Sequence, residues 1–122
     1  MSLAASAVSF NPQAKVALLA LLGKRGILER AEDLTLYEYD GGVDKHRPDL
    51  VVFPRTAAEV KRIVEIARDH QITFIGRGAG TGLSGGVIPR CGGLMVSFAR
   101  MNQIEEIDLD NERARVQAGV VN

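Results

Sequence analysis

A chain of 122 residues, 46% apolar and 25% charged, can bury one core and is not composed like a disordered segment. Fifteen basic residues balance fifteen acidic ones without a basic stripe, which argues against nucleic acid as a partner. The single Cys, Cys91, excludes an internal disulfide, and His46 and His70 lack a Cys or His partner at metal-binding spacing.

Residues 1–10 have no periodicity. Asn11-Pro12 has the chemistry of an N-cap followed by proline in the first helical position, and Gly23 stops the helix after Leu22. Apolar residues surround this helix, so burial on more than one side is expected. Its run Val16–Leu22 is too short to span a bilayer and has no basic segment before it, so neither a membrane span nor a secretory leader is expected. A cytoplasmic protein is expected, either free or held at the membrane periphery within a larger complex.

Residues 34–39 alternate loosely, as a short strand or extended segment would, before the turn residues Asp40-Gly41-Gly42. A polar loop follows to Asp49, where His46 is expected to be solvated rather than catalytic. Leu50-Val51-Val52-Phe53 is a continuous apolar run, predicting a strand covered on both faces and ended by Pro54. Thr56 and Glu59 form a capping-box pattern, and Val60, Ile63, Val64 and Ala67 make an amphipathic helical stripe. Ile72-Thr73-Phe74-Ile75 then predicts a second buried strand, which completes a βαβ unit with parallel strands and a right-handed crossover. Leu94–Phe98 is a further buried strand. Residues 104–109 and 114–118 flank the turn Asp110-Asn111-Glu112, predicting a β-hairpin with one apolar and one wet face.

Between these strands lies Gly76-Arg77-Gly78-Ala79-Gly80-Thr81-Gly82-Leu83-Ser84-Gly85-Gly86. Glycines leave the backbone unshielded and reach positive φ at little cost, so successive N–H groups can converge on an anion. Thr81 and Ser84 add hydroxyls. Arg77 is either a phosphate partner or an intramolecular clamp. The plain alternative is a mobile linker. Gly80–Gly85 satisfies G-x-G-x-x-G, but Pro89 and Gly92-Gly93 forbid the helix that a dinucleotide fingerprint needs. No Lys follows the glycines, which also excludes a Walker A loop. A phosphate cradle of loop backbone, without a helix dipole behind it, remains.

Pro54-Arg55-Thr56 with Glu59-Val60, the glycine loop, Arg100–Ile104 and Val116–Val120 together resemble the FAD-binding domain of the vanillyl-alcohol oxidase and p-cresol methylhydroxylase flavoproteins. Within that family they are most similar to the branch of glycolate oxidase and the FAD-linked D-lactate and D-2-hydroxyglutarate dehydrogenases. Tyr37 and Asp40 fit the same branch. The resemblance implies an α+β fold: an N-terminal helix, then a βαβ unit with the glycine loop and a β-hairpin forming a small mixed sheet. This would be the first lobe of a two-lobe FAD domain over residues 34–122, with residues 1–33 as a tail and packing helix. It further implies that Arg77, Gly78, Ala79, Gly80, Thr81, Gly82, Ser84, Gly85 and Gly86 contact the FAD diphosphate. Pro54 would lie near the adenine, and Gly119 and Val120 would line the flavin cleft. Some relatives attach flavin through a loop histidine. Thr81 stands at the corresponding place here, so non-covalent FAD is expected, with Cys91 as a packed thiol rather than a tether.

By the same resemblance, the whole enzyme would oxidise a 2-hydroxy acid, passing a hydride equivalent from the α-carbon to flavin N5 and the electrons to an acceptor other than nicotinamide. The second FAD lobe and the substrate cap of such enzymes have no counterpart in these 122 residues, so the chain alone is expected not to turn over. No catalytic residue or metal ligand is assigned. Self-association through the uncovered face, or a chain supplying the missing lobe, is expected. The competing possibilities are a non-enzymatic nucleotide- or phosphate-binding module and an inactive structural fragment.

Overall fold

The computed structural model describes residues 10–37, 46–80 and 92–121. Helix α1 spans Pro12–Leu22, with the Asn11 side chain accepting from the backbone N–H groups of Gln13 and Ala14 at 2.9 and 3.1 Å. Ala14 and Leu18 are buried and Ala17 and Leu21 pack beside them, at the i, i+3, i+4, i+7 spacing of one helical face. Burial on more than one side is not observed: Val16 and Leu19 are exposed. Among the described residues, α1 packs chiefly on one other helix and on the chain just after it, so only one face has a partner.

Strand β1 (Ile27–Leu28) and the short helix α2 (Ala31–Leu34) follow, and a 3-10 turn covers Thr35–Tyr37. A strand or extended segment from residue 34 is thus corrected to helical turns; residues 38 and 39 of that segment lie outside the described residues. The physical reason is the core. Leu34 and Tyr37, three apart, both pack toward the sheet, which a helical turn allows and an alternating strand does not.

Strand β2 (Leu50–Val52) is buried at every residue. Helix α3 (Ala57–Asp69) starts behind buried Pro54, and Thr56 Oγ1 accepts from the Glu59 N–H at 3.1 Å. The Glu59 carboxylate reaches back one residue beyond the cap, accepting from the Arg55 N–H at 2.6 Å. Ile63, Ile66 and Ala67 form the buried stripe, with Val60 and Val64 at its margin.

Strands β3 (Phe74–Arg77) and β4 (Leu94–Ser97) complete a four-stranded sheet in the order β1-β2-β4-β3. Strands β2, β4 and β3 are mutually parallel, and β1 is antiparallel to β2. The two strands of the βαβ unit are therefore parallel but not neighbours, because β4 is inserted between them. Asp49 and Gly93 join the starts of β2 and β4 by a reciprocal pair: the Asp49 N–H donates to the Gly93 carbonyl at 2.8 Å, and the Gly93 N–H donates to Asp49 Oδ2 at 2.6 Å. Alternation divides the core. Leu50, Val52, Leu94 and Val96 face α1 and α3, whereas Val51 and Met95 pack with Leu34, Tyr37, Phe53 and Ile75 on the opposite face. Each such fully buried aliphatic side chain contributes about 1.5–3 kcal/mol.

The predicted strand over residues 72–75 is displaced by two residues and is not buried. It runs through Gly76 and Arg77, and Phe74 is 44% exposed, because among the described residues β3 pairs only with β4 and lies at the edge of the sheet.

The hairpin forms a separate two-stranded sheet of β5 (Ile104–Asp108) and β6 (Arg113–Val116). The register shifts between Ile104 and Glu106, so two residues on β5 oppose one step on β6. This bulge explains how Ile104 and Ile107, three apart, share a face: they pair with Val116 and Ala114. The other face carries the cross-strand ion pairs Glu106–Arg115 (3.8 Å) and Asp108–Arg113 (3.2 Å). The expected apolar and wet faces are both present. The apolar one is uncovered among the described residues, with Ile107 63% exposed.

Hydrogen bonds from the Asn111 side chain (2.8 Å) and then the Asn111 N–H (3.1 Å), with a smaller part from Arg113, hold the Asp108 carboxyl below its ordinary value of 3.8. A depressed folded-state pKa stabilises the turn fully above the unfolded value, and this is lost as pH falls through the folded value. NMR titration below about pH 4 is therefore expected to show Asn111 amide protection falling with Asp108 protonation. Asp108→Asn should remove that dependence.

Candidate functional site

Parallel strands end at one edge. The carboxyl ends of β2, β4 and β3 bring together Pro54, the turn after Ser97, and the glycine-rich turn after Arg77. Open sheets of parallel strands hold ligands at this edge. Helix α3 also begins here, but Thr56 and the Glu59 carboxylate already occupy its N-terminus, so it offers little positive dipole to an anion.

The described part of the loop is Gly78-Ala79-Gly80, a bend directly after β3. None of the described residues accepts a hydrogen bond from the backbone N–H of Gly78, Ala79 or Gly80. A Cβ added to Gly78 would meet no described atom within 4 Å. Gly80 adopts φ +74°, the left-handed region that favours glycine. A Cβ there would lie 2.8 Å from Arg77 Nε and nearer still to Cζ and Nη2. The donor set is thus bare amides beside a guanidinium, which suits a diphosphate. Thr81, Gly82, Ser84, Gly85, Gly86 and Cys91, like Asp40, lie outside the described residues.

Gly119 reaches this edge by another route. Its N–H donates to the Met101 carbonyl at 2.9 Å, and the Met101 N–H donates to the Phe98 carbonyl at 2.9 Å. A Cβ on Gly119 would fall 2.6 Å from the Phe98 carbonyl carbon and closer to its oxygen. Close backbone approach alone therefore requires glycine at this position. Val120 follows, partly buried, with its N–H donating to Gln117.

Two aromatic residues to which the sequence analysis assigned no role in the site join it. The Arg77 guanidinium lies 5.3 Å from the Tyr37 ring centroid, and Tyr37 meets Phe53 edge-on at 6.1 Å and 71°. Tyr37 is forty residues from Arg77, and no local pattern marks the contact. His46 is exposed, and His70 Nδ1 lies 2.9 Å from the Ile66 carbonyl at the end of α3. Among the described residues no group of three His, Cys, Asp or Glu could hold a metal ion, and no helix is long and apolar enough to cross a membrane.

A glycine turn at the carboxyl edge of a small mixed α+β sheet stands where such sheets hold ligands. Residues 48–122 match the family described as FAD binding domain, and the chain belongs to that family. It is 44% identical over 87 residues to glycolate oxidase subunit GlcD of Bacillus subtilis (strain 168), covering 70% of this chain and 18% of that protein. To the D-lactate dehydrogenase of Anaerostipes hadrus it is 35% identical over 77 residues, covering 63% and 16%. Among solved structures, p-cresol methylhydroxylase with substrate bound is similar at TM-score 0.80 and 27% identity, over 88% of this chain and 22% of that one. Alkyldihydroxyacetonephosphate synthase shares the fold at TM-score 0.81 and 21% identity, over 90% and 25%. The chain spans less than a fifth of the length of these two curated relatives.

Gly119→Ala is expected to destabilise the protein by about 1–3 kcal/mol, because the backbone of Phe98 must move. Thermal denaturation, with Ala118→Gly as the neighbouring control, measures it.

Proposed function

We propose that this chain is the diphosphate-binding lobe of a flavin-dependent oxidoreductase acting on a 2-hydroxy acid of the glycolate or D-lactate type. The observation that carries the proposal is the bare, glycine-flanked backbone at the carboxyl end of β3, in a chain of the FAD binding domain family. The lobe extends over residues 34–122, with the helix of residues 12–22 packed on it. FAD, when bound, supplies the two-electron acceptor.

The chain's own residues hold and orient the cofactor. The amides of Gly78, Ala79 and Gly80 donate to the diphosphate, together with residues 81, 82 and 84–86. Buried Pro54 shapes the neighbouring strand end toward the adenine. Gly119 and Val120 border the flavin side. Attachment is non-covalent, since the Thr81 hydroxyl does not replace the histidine that tethers flavin in some relatives. The substrate class follows from the names of the relatives at 44% and 35% identity, a component of a glycolate oxidase and a D-lactate dehydrogenase. Oxidation of the acid belongs to the whole protein, and this chain alone does not carry it out.

The uncovered face of Ile104, Ile107 and Val116 supports association with a second copy or with polypeptide that completes the site. An apolar face on a two-stranded ribbon is costly to leave in water.

Purified chain titrated with FAD and with ADP tests the cofactor, and acid precipitation tests its attachment. Saturable FAD binding, with all flavin released to the supernatant, is expected. Binding of ADP without FAD would instead make the chain a nucleotide module. Addition of glycolate or D-lactate should leave the flavin oxidised, and its reduction would show that the chain is competent alone. Sedimentation should show concentration-dependent association that Ile107→Asp weakens; a monomer at every concentration would count against the uncovered face as an interface.

A further inference from the structure

Arg77 is the last residue of β3. Like Ile75, it projects from the sheet toward the side where Tyr37 and Phe53 lie. Its guanidinium stands within cation–π range of the Tyr37 ring at 5.3 Å. That ring is itself held. It meets Phe53 at 71° and packs against the cluster of Leu34, Val51 and Met95. The same guanidinium lies against Gly80, where a Cβ would overlap it. Three residues after leaving the strand, the backbone has therefore turned over its own arginine, with φ +74° at the point of contact.

We propose that Tyr37 and Arg77 form a clamp that sets the conformation of the Gly78–Gly80 turn before any ligand arrives. Arg77 is then a positioning residue for the diphosphate site rather than a phosphate ligand, and Tyr37 is its anchor. The chemistry of the two side chains supports this. A planar, weakly hydrated guanidinium can stack on a ring and still lie flat against a backbone, which a compact, strongly hydrated ammonium does poorly. Glycine at position 80 is required because the guanidinium occupies the space a side chain would take. A turn held in this way loses little conformational entropy when an anion docks, and affinity gains accordingly. The clamp rests on the FAD assignment only for the identity of its ligand.

The test uses Tyr37→Phe, Tyr37→Leu, Arg77→Lys, Arg77→Ala and the Tyr37→Leu/Arg77→Ala double variant. Two readouts are taken: the 15N order parameters of the Gly78 and Gly80 amides without ligand, and FAD affinity. Tyr37→Leu and Arg77→Ala should each lower those order parameters and weaken FAD binding by about 2- to 30-fold. The double variant should be no worse than the weaker single variant, because both remove one interaction. Tyr37→Phe, which keeps the ring, should resemble the parent, and Arg77→Lys should not.

If Tyr37→Leu leaves the order parameters and affinity unchanged while Arg77→Ala weakens FAD binding, Arg77 is a direct ligand and the proposal falls. Additive losses would overturn it equally. Should Tyr37→Leu not fold, Arg77→Lys decides through the ligand-free order parameters: lower values at Gly78 and Gly80 support the clamp, unchanged values refute it. If the parent chain binds no FAD, the proposed function fails, and the order parameters still decide the clamp.

Discussion

Strand β4 is the constraint on which the rest of the structure depends. Leu94, Met95, Val96 and Ser97 are all buried, hydrogen-bonded to β2 on one side and β3 on the other. One face of this strand is covered by α1 and α3, and the other by α2 and the turn that follows it. With both edges and both faces occupied, β4 cannot slip in register without exposing its apolar residues and unpairing its amides. Among the described residues strand β3 has no other partner in the sheet, so the placement of the glycine turn at its end depends on β4.

The site is assembled from chain ends that this arrangement brings to one edge. Pro54 closes β2, Gly78 opens the turn after β3, and Gly119 sits on the carbonyl of Phe98 just beyond β4. Among the described residues of the turn, close backbone approach and amides without a described acceptor dominate, which suits a ligand whose charge is spread over phosphoryl oxygens. The Arg77 guanidinium, stacked on the Tyr37–Phe53 aromatic pair, adds a cationic group beside the turn.

The hairpin stands apart from this core. Its bulge gathers Ile104, Ile107, Ala114 and Val116 on one face and the ion pairs on the other, a division of the kind found where one side of a ribbon is to be covered. The backbone bonds between Gln103 and Gln117 and between Met101 and Gly119 tie its base to the turn after β4.

Local chemistry was enough to place much of this molecule. Asn11 and Thr56 mark helix starts because a side-chain oxygen three residues from an orphan amide satisfies it wherever the helix lies. The unbroken apolar runs at Leu50–Val52 and Leu94–Val96, each too short for a helix, read as strands covered on both sides. The glycine loop's chemistry pointed to a phosphate cradle, and the resemblance carried by the loop and its flanking stretches implied FAD, which the family match supports. What no local pattern contained was who neighbours whom. The insertion of β4 between β2 and β3, the edge position that exposes Phe74, and the helical turns at Leu34–Tyr37 arise from contacts tens of residues apart. The same holds for Tyr37 under Arg77 and for Gly119 on Phe98. Strand order and side-chain stacking are set by which surfaces bury one another best, and that competition is resolved only when the whole chain packs.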